Sequence, residues 1–311
     1  MNIIEVKELS KSYKDNKAVD NISFNVEQGR IYGILGPNGA GKSTTIKMLA
    51  GLLSQDSGTI VYEGDSTIEK WSKNIGLVPQ NIAIYDELTA KENISFFVSL
   101  YGITGKEKEE RIAQTLKFVG LEDVKDKPAK EYSGGMKRRL NIACAIVHAP
   151  KLIIMDEPTV GIDPQSRNYI LESVKNLNKH GTSVIYTSHY MEEVEAICDR
   201  IIILDKGRII LNDEKDNIKK MFLDKQTLTI IAKDTIADPA ALKAVIGAIQ
   251  GVESVSVEET KCVCVYEQKH RPLDSIIQAV YKSGIEISDI STSGRDLETI
   301  FLALTGKELR E

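Results

Sequence analysis

The chain predicts an α/β fold with a phosphate-binding loop at the edge of a parallel sheet, followed by a smaller α+β unit. Three observations predict it. Apolar strand-like runs alternate with helical patterns up to about residue 220. The run Gly36, Pro37, Asn38, Gly39, Ala40, Gly41, Lys42, Ser43 and Thr44 lies between the apolar strand Ile31 to Leu35 and the helix-like stretch Thr45 to Leu53. Beyond residue 224 the order becomes β-α-β-β-α-β and none of the earlier motifs returns.

The first segment reads as strands at Ile3 to Leu9, Ala18 to Val26 and Arg30 to Leu35, broken by polar turns. Further strands are expected at Thr59 to Tyr62, Ile75 to Val78, Leu152 to Met155, Ser183 to Thr187 and Arg200 to Leu204. Between them lie helical patterns at Ala90 to Tyr101, Lys106 to Val119, Lys137 to His148, Ser166 to Lys179 and Met191 to Ile197. The later part reads as strand Thr227 to Ala232, helix Pro239 to Ile249, strands Val252 to Val257 and Cys262 to Tyr266, helix Leu273 to Lys282, strand Ile285 to Ile290, and a last helix Asp296 to Leu304. The expected domains are therefore 1–224 and 225–311, the second a ferredoxin-like (split βαβ) accessory domain.

With 311 residues, 42% hydrophobic and 27% charged, the composition is that of an ordinary two-domain globular protein and excludes wholesale disorder. Lys and Arg number 40 against 45 Asp and Glu, a net charge of −5. No strongly basic face is implied, and nucleic acid is not an expected partner. The start of the chain lacks a secretory apolar core, and nowhere do about 18 uncharged apolar residues run together, so a soluble, cytoplasmic protein is expected. The four cysteines, Cys144, Cys198, Cys262 and Cys264, lie in apolar contexts without a ligand set for zinc and read as reduced thiols.

The glycines of residues 36–44 let the backbone curl around a phosphate chain with its N–H groups turned inward. Lys42 would reach the outer phosphates, the Ser43 hydroxyl would ligate Mg²⁺, and the helix that follows presents its positive end to the anion. Strand Leu152 to Met155 ends in Asp156 and Glu157, which places two carboxylates at the same sheet edge. Asp156 would hold Mg²⁺ and Glu157 would polarise an attacking water. Gln80 and His189 each follow a strand, and Ser133, Gly134 and Gly135 open a helix with a second set of anion donors. Singly these are ordinary turn and cap residues; their order along one chain is what gives them weight.

That order resembles the nucleotide-binding domain of ABC transporters over residues 1 to about 220. It comprises the phosphate loop at 36–44, Gln80 of the Q-loop, Tyr132-Ser-Gly-Gly-Met136 as signature, Met155-Asp-Glu-Pro158, the D-loop with Asp163, and the switch histidine His189. The signature carries Tyr132 and Met136 where Leu and Gln are common. The resemblance implies an ABC-type fold with antiparallel β and helical subdomains, and ATP and Mg²⁺ as cofactors. It also implies adenine stacked on Tyr13, Mg²⁺ near Ser43, Gln80 and Asp156, and His189 at the γ-phosphate. Ser133 of one subunit would complete the ATP site of another in a nucleotide-dependent dimer. The tail Asp296 to Gly306 resembles that of daunorubicin-type drug-export ATPases. This implies a separate ABC-2 type permease as partner, a position on the inner face of the membrane through it, and export of a drug or antibiotic. A soluble ABC ATPase acting on ribosomes or DNA is the rival reading; one nucleotide domain, without a coiled-coil insertion between Lys42 and Ser133, counts against it. An effector-binding role for 225–311 is a third reading. The stretch Ile84 to Glu87 is expected to face the permease, with Phe96 and Phe97 in the core.

Overall fold

The computed structural model describes residues 1–14, 16–67, 71–188, 190–221 and 225–294, together with 297, 300, 301 and 304. The chain divides into two compact units, 1–213 and 214–311. The division falls ahead of the 224/225 boundary expected from the sequence.

In the first unit, β1 (Asn2–Tyr13) pairs antiparallel with β2 (Asn16–Glu27) and with β4 (Ser57–Tyr62). The six-stranded sheet runs β5 (Ile75–Val78), β6 (Leu152–Asp156), β7 (Ser183–Thr187), β3 (Ile31–Leu35), β8 (Arg200–Asp205), β9 (Arg208–Glu214). Its first five strands are parallel. β3, β6 and β7 are buried at every residue, which is why they read as unbroken apolar runs rather than alternating ones. One apolar cluster joins the two sheets to α1 (Lys42–Leu49). It includes Val6, Ile22 and Phe24 from the first sheet, Ile34, Ile154 and Ile185 from the second, and Ile46 and Leu49 from the helix.

Helices α2 (Ala90–Leu100), α3 (Gly105–Phe118) and α4 (Gly134–Ile146) pack on one another. α2 is opened by a capping box between Thr89 and Glu92. Its buried stripe is Ala90, Asn93, Ile94 and Val98, so Phe96 falls off the stripe and is 40% exposed, contrary to the expectation that it is core. The buried Asn93 is fully used: its Oδ1 accepts from Tyr85 N, and its Nδ2 donates to the carbonyls of Tyr85, Leu88 and Thr89. α5 (Pro164–Lys179) and α6 (Met191–Ile197) flank β7 in the chain.

The second unit begins with α7 (Lys215–Met221) and continues β10 (Lys225–Ala232), α8 (Pro239–Gly247), β11 (Val252–Glu258), β12 (Lys261–Glu267), α9 (Leu273–Lys282), β13 (Ile287–Gly294). Its sheet order is β11-β12-β10-β13 with every pairing antiparallel. The core takes alternate residues of two strands, Leu228 and Ile230 with Cys262, Cys264 and Tyr266, under Leu242, Ile246, Ile276 and Val280 of the helices. The thiols of Cys262 and Cys264 lie 3.7 Å apart, unbridged. The expected last helix, Asp296 to Leu304, falls partly outside the described residues; of those described, Leu297, Ile300 and Phe301 are buried.

Candidate nucleotide site

The loop after β3 has no room for side chains at Gly36 and Gly41. A Cβ on Gly36 would stand 2.4 Å from the carbonyl oxygen of Leu204, and one on Gly41 would stand 2.4 Å from that of Ala18. Gly41 also has φ +103° and opens α1, whose first turn has neither an acidic residue nor a side-chain cap. The first amides of that helix are therefore left for an anion, which is the fit a phosphate chain needs. Asn38 and Gly39 are exposed at the tip, while Pro37 and Ala40 are buried. Ala40 N donates to Pro37 O at 3.1 Å, and Gly207 N donates to Ala40 O at 3.0 Å, which ties the loop to the turn after β8. Thr44 is half-buried on the first turn of α1.

Lys42 is 6% exposed and folds back so that Nζ donates to Gly36 O at 2.6 Å and Pro37 O at 3.2 Å. Burial pushes its pKa down, and the nearby Glu157 and Asp156 push it back up. An ammonium hydrogen-bonded to loop carbonyls, at the start of a helix, is a cation set for a polyphosphate.

The two acids stand where β6 ends, and Thr187 of the neighbouring strand β7 orders both. Its hydroxyl donates to Asp156 Oδ1 at 2.9 Å and accepts the Glu157 backbone N–H at 2.9 Å. Asp156 also accepts the Ser43 hydroxyl; burial nevertheless raises its pKa, so the carboxylate favours a neutralising cation. Hydroxyl and carboxylate oxygens in contact form a hard donor set of the kind Mg²⁺ takes. Glu157 leaves the strand with φ +49°, a left-handed conformation that costs a non-glycine residue about 1–3 kcal/mol. This breaks the strand alternation at the point where Gln80 Nε2 donates to Glu157 Oε2 at 2.7 Å. Gln80 thus reaches the acidic pair through Glu157.

Arg138, one turn into α4, was not singled out from the sequence, yet it fixes Gln80. It is 3% exposed, with Nη1 donating to Pro79 O at 2.8 Å and Nη2 to Gln80 O at 2.6 Å. Asn141 of the same helix accepts Ala83 N at 2.9 Å. No local sequence signal marks Arg138, since it is the middle one of three consecutive basic residues, Lys137 to Arg139.

At the start of α4, Ser133 and Gly134 are exposed and the Ser133 hydroxyl accepts Met136 N at 3.3 Å. Gly135 is buried against α5: a Cβ there would lie 2.1 Å from Ser166 Oγ and 3.1 Å from Asp163 Oδ2. Asp163 caps α5 by accepting Ser166 N at 2.9 Å, and its bonds to Ser166 hold its carboxyl below the usual range. The structure so brings the signature and Asp163 together. Tyr132, in place of a leucine, is buried and its hydroxyl donates to Val124 O at 2.6 Å. Tyr13 ends β1 with 48% exposure, an open aromatic face. His189 lies outside the described residues.

Residues 19–160 match the family described as ABC transporter. The chain is 43% identical to the linearmycin resistance ATP-binding protein LnrL of Bacillus subtilis (strain 168), over 99% of this chain and 100% of that one. The chain belongs to the ATP-binding proteins of ABC transporters. It is also 36% identical to the daunorubicin/doxorubicin resistance ATP-binding protein DrrA of Streptomyces peucetius, covering 97% and 92% of the two chains. With the Nod factor export ATP-binding protein I of Sinorhizobium fredii (strain NBRC 101917 / NGR234) the identity is 35%, over 99% and 87%. Among solved structures, an ATP-binding subunit of an ABC transporter superposes with a TM-score of 0.65 at 31% identity, over 70% of this chain and 92% of that one. The ATP-binding cassette MJ0796, a dimer in a post-hydrolysis state bound to ADP and Pi, gives 0.63 at 27%, over 68% and 98%.

As an ABC ATPase the chain binds nucleotide and hydrolyses ATP. Among its described residues no helix is long and apolar enough to cross a membrane.

Proposed function

We propose that this ABC ATPase energises an ABC-2 type exporter, with a separately encoded permease as partner and a drug or antibiotic as cargo. The observation that carries this reading is similarity along the whole chain to resistance and export ATP-binding proteins, which extends past the nucleotide unit through the second unit. The protein then works on the inner face of the cell membrane through its permease.

In the site, Tyr13 takes adenine, and residues 36–44 take the phosphates with Lys42 swung from its carbonyls onto the outer ones. Ser43, Asp156 and Gln80 would hold Mg²⁺, which would supply charge neutralisation at the transferring phosphoryl group. Glu157 accepts a proton from water, aimed by its hydrogen bond to Gln80, and His189 contacts the γ-phosphate. The exposed Ser133 and Gly134 donate to a phosphate bound on a second subunit, so the working unit is a dimer with two nucleotides between its faces, and nucleic acid is not a partner. Catalysis here is positioning and charge stabilisation. The second unit, taken as 225–311 with a ferredoxin-like sheet, is an accessory domain; its strand order supports that class.

The test is to purify the tagged protein from native membranes in mild detergent and identify what accompanies it at stoichiometric amount. A multi-span membrane protein that raises the ATPase rate on reconstitution is expected. Ribosomes or DNA in its place would overturn the exporter reading.

A further inference from the structure

One buried carboxylate outside the nucleotide loop gathers more hydroxyl donors than any group in the site just described. Glu193, on α6, is 2% exposed, and its Oε2 accepts Ser188 Oγ at 2.7 Å, Thr159 Oγ1 at 2.8 Å and Tyr186 OH at 2.8 Å. Its Oε1 lies 3.4 Å from Nε of Arg167, on the first turn of α5. Thr159, Tyr186 and Ser188 are themselves buried.

The placement of these partners along the chain gives the cluster its meaning. Thr159 stands two residues after Glu157. Ser188 and Tyr190 are the chain neighbours of His189, and both are tied to the same pair of charges. Ser188 Oγ donates to Glu193 and accepts Tyr190 N at 2.9 Å, while the Arg167 guanidinium sits 4.2 Å from the centre of the Tyr190 ring. Arg167 N in turn donates to Asp163 O at 2.9 Å, so the guanidinium belongs to the helix turn that Asp163 caps and that Gly135 backs onto.

Three hydroxyls on one oxygen of a buried carboxylate, with a guanidinium 3.4 Å from the other, would serve stability on any part of a fold. Here every one of them is carried by a segment next to a residue assigned to hydrolysis or to the face shared with a second subunit. We propose that the Glu193–Arg167 pair is a positioning device that holds the segments after Glu157 and around residue 189 in register with the helix beginning at Asp163. The inference rests on the reading of Glu157 as base and of Ser133 and Gly134, whose neighbour Gly135 backs onto the turn that Asp163 caps, as the shared face. Neither Glu193 nor Arg167 touches the nucleotide; each acts through the segments it anchors. Loss of the pair then misplaces the hydrolytic groups while the phosphate loop, built on β3 and α1, keeps its shape.

The test compares Glu193→Gln, Arg167→Gln and the double variant in the full chain. Steady-state ATPase, fluorescent-nucleotide affinity and thermal melting are measured for each. A Gln at 193 keeps an oxygen for the hydroxyls but turns an amide toward Arg167, so the ion pair is broken with little change of volume. Each single variant is expected to lower kcat about tenfold, with KM for ATP within about twofold. The double variant is expected to be no slower than the singles, because both remove the same interaction. Singles with kcat near wild type, losses that multiply in the double, or losses of kcat and nucleotide affinity that track the melting temperature would each overturn the proposal. Should Glu193→Gln fail to fold, Thr159→Val removes one donor at constant shape and must show the same fall in kcat at constant KM. Glu157→Gln run in parallel separates the two readings: normal hydrolysis in it refutes the base, whatever the Glu193 variants do.

Discussion

Acidification from neutrality to about pH 5 is expected to cost this protein about 2 kcal/mol of folding stability through His148 alone. The ring is 8% exposed, stacks on Tyr101 at 3.7 Å between centroids and 4° between planes, and its Nε2 donates to Ile75 O at 3.2 Å. Its Nδ1 is buried without a hydrogen-bond partner among the described residues, so a second proton would enter a place with nothing to receive it. Burial, with a smaller push from Arg111, lowers its pKa from 6.5 to about 4.

The unfolded chain therefore takes up the proton first. Stability from this group is complete above the unfolded value near 6.5, is lost as pH falls toward 4, and stays lost below it. At ~1.4 kcal/mol per pH unit the full loss is about 3 kcal/mol, with about 2 of it reached by pH 5. Urea unfolding at neutral pH and near pH 5 of wild type and His148→Phe isolates the effect. Phenylalanine keeps the stack on Tyr101 but takes no proton; the Ile75 carbonyl it orphans costs about 1–3 kcal/mol at every pH and cancels in the difference. Wild type should lose about 2 kcal/mol more than the variant between the two conditions. Equal losses would refute the assignment of that pH dependence to His148.

Glu157→Gln should bind ATP normally and hydrolyse it slower by about 10² or more, read by phosphate release; normal turnover would take Glu157 out of the role of base. Gly36→Ala places a Cβ 2.4 Å from the Leu204 carbonyl, a backbone atom that cannot step aside, and should lower stability by about 1–3 kcal/mol while weakening binding of fluorescent ATP. Arg138→Met frees the carbonyls of Pro79 and Gln80, and should reduce kcat more than ATP affinity because the strap that aims Gln80 at Glu157 loosens. Equal loss of both would make Arg138 a purely structural residue.

The phosphate loop and the acidic strand end were legible in the sequence because their chemistry is local: glycines where a Cβ collides, a lysine at a helix start, acids where an apolar strand stops. Element limits were legible to within a few residues. α1 begins at Lys42 rather than Thr45, and α4 at Gly134 rather than Lys137, since Gly41 and Ser133 are the caps. Phe96 was misplaced because apolarity was taken for burial, whereas the core stripe of α2 accepts the polar Asn93, whose amide ties the preceding loop. Strand β9 and helix α7 were not expected because Arg208 to Met221 mixes charges with apolar residues and shows no clean period. Arg138 and Glu193 were not singled out from the sequence, as each stands among other charged residues of its helix. Only the packing of α4 against the Gln80 strap, and of α6 against β7, reveals them as buried, and no local signal encodes that packing.

An ATP site shared between two subunits closes only with nucleotide between them, and dimerisation of Glu157→Gln reads out that closure. With ATP and Mg²⁺ in excess this variant should run as a dimer in light scattering coupled to gel filtration, revert to monomer with ADP, and fail to dimerise when Ser133→Arg is added, although ATP still binds. A monomer at saturating ATP, or a dimer indifferent to Ser133→Arg, would contradict the account.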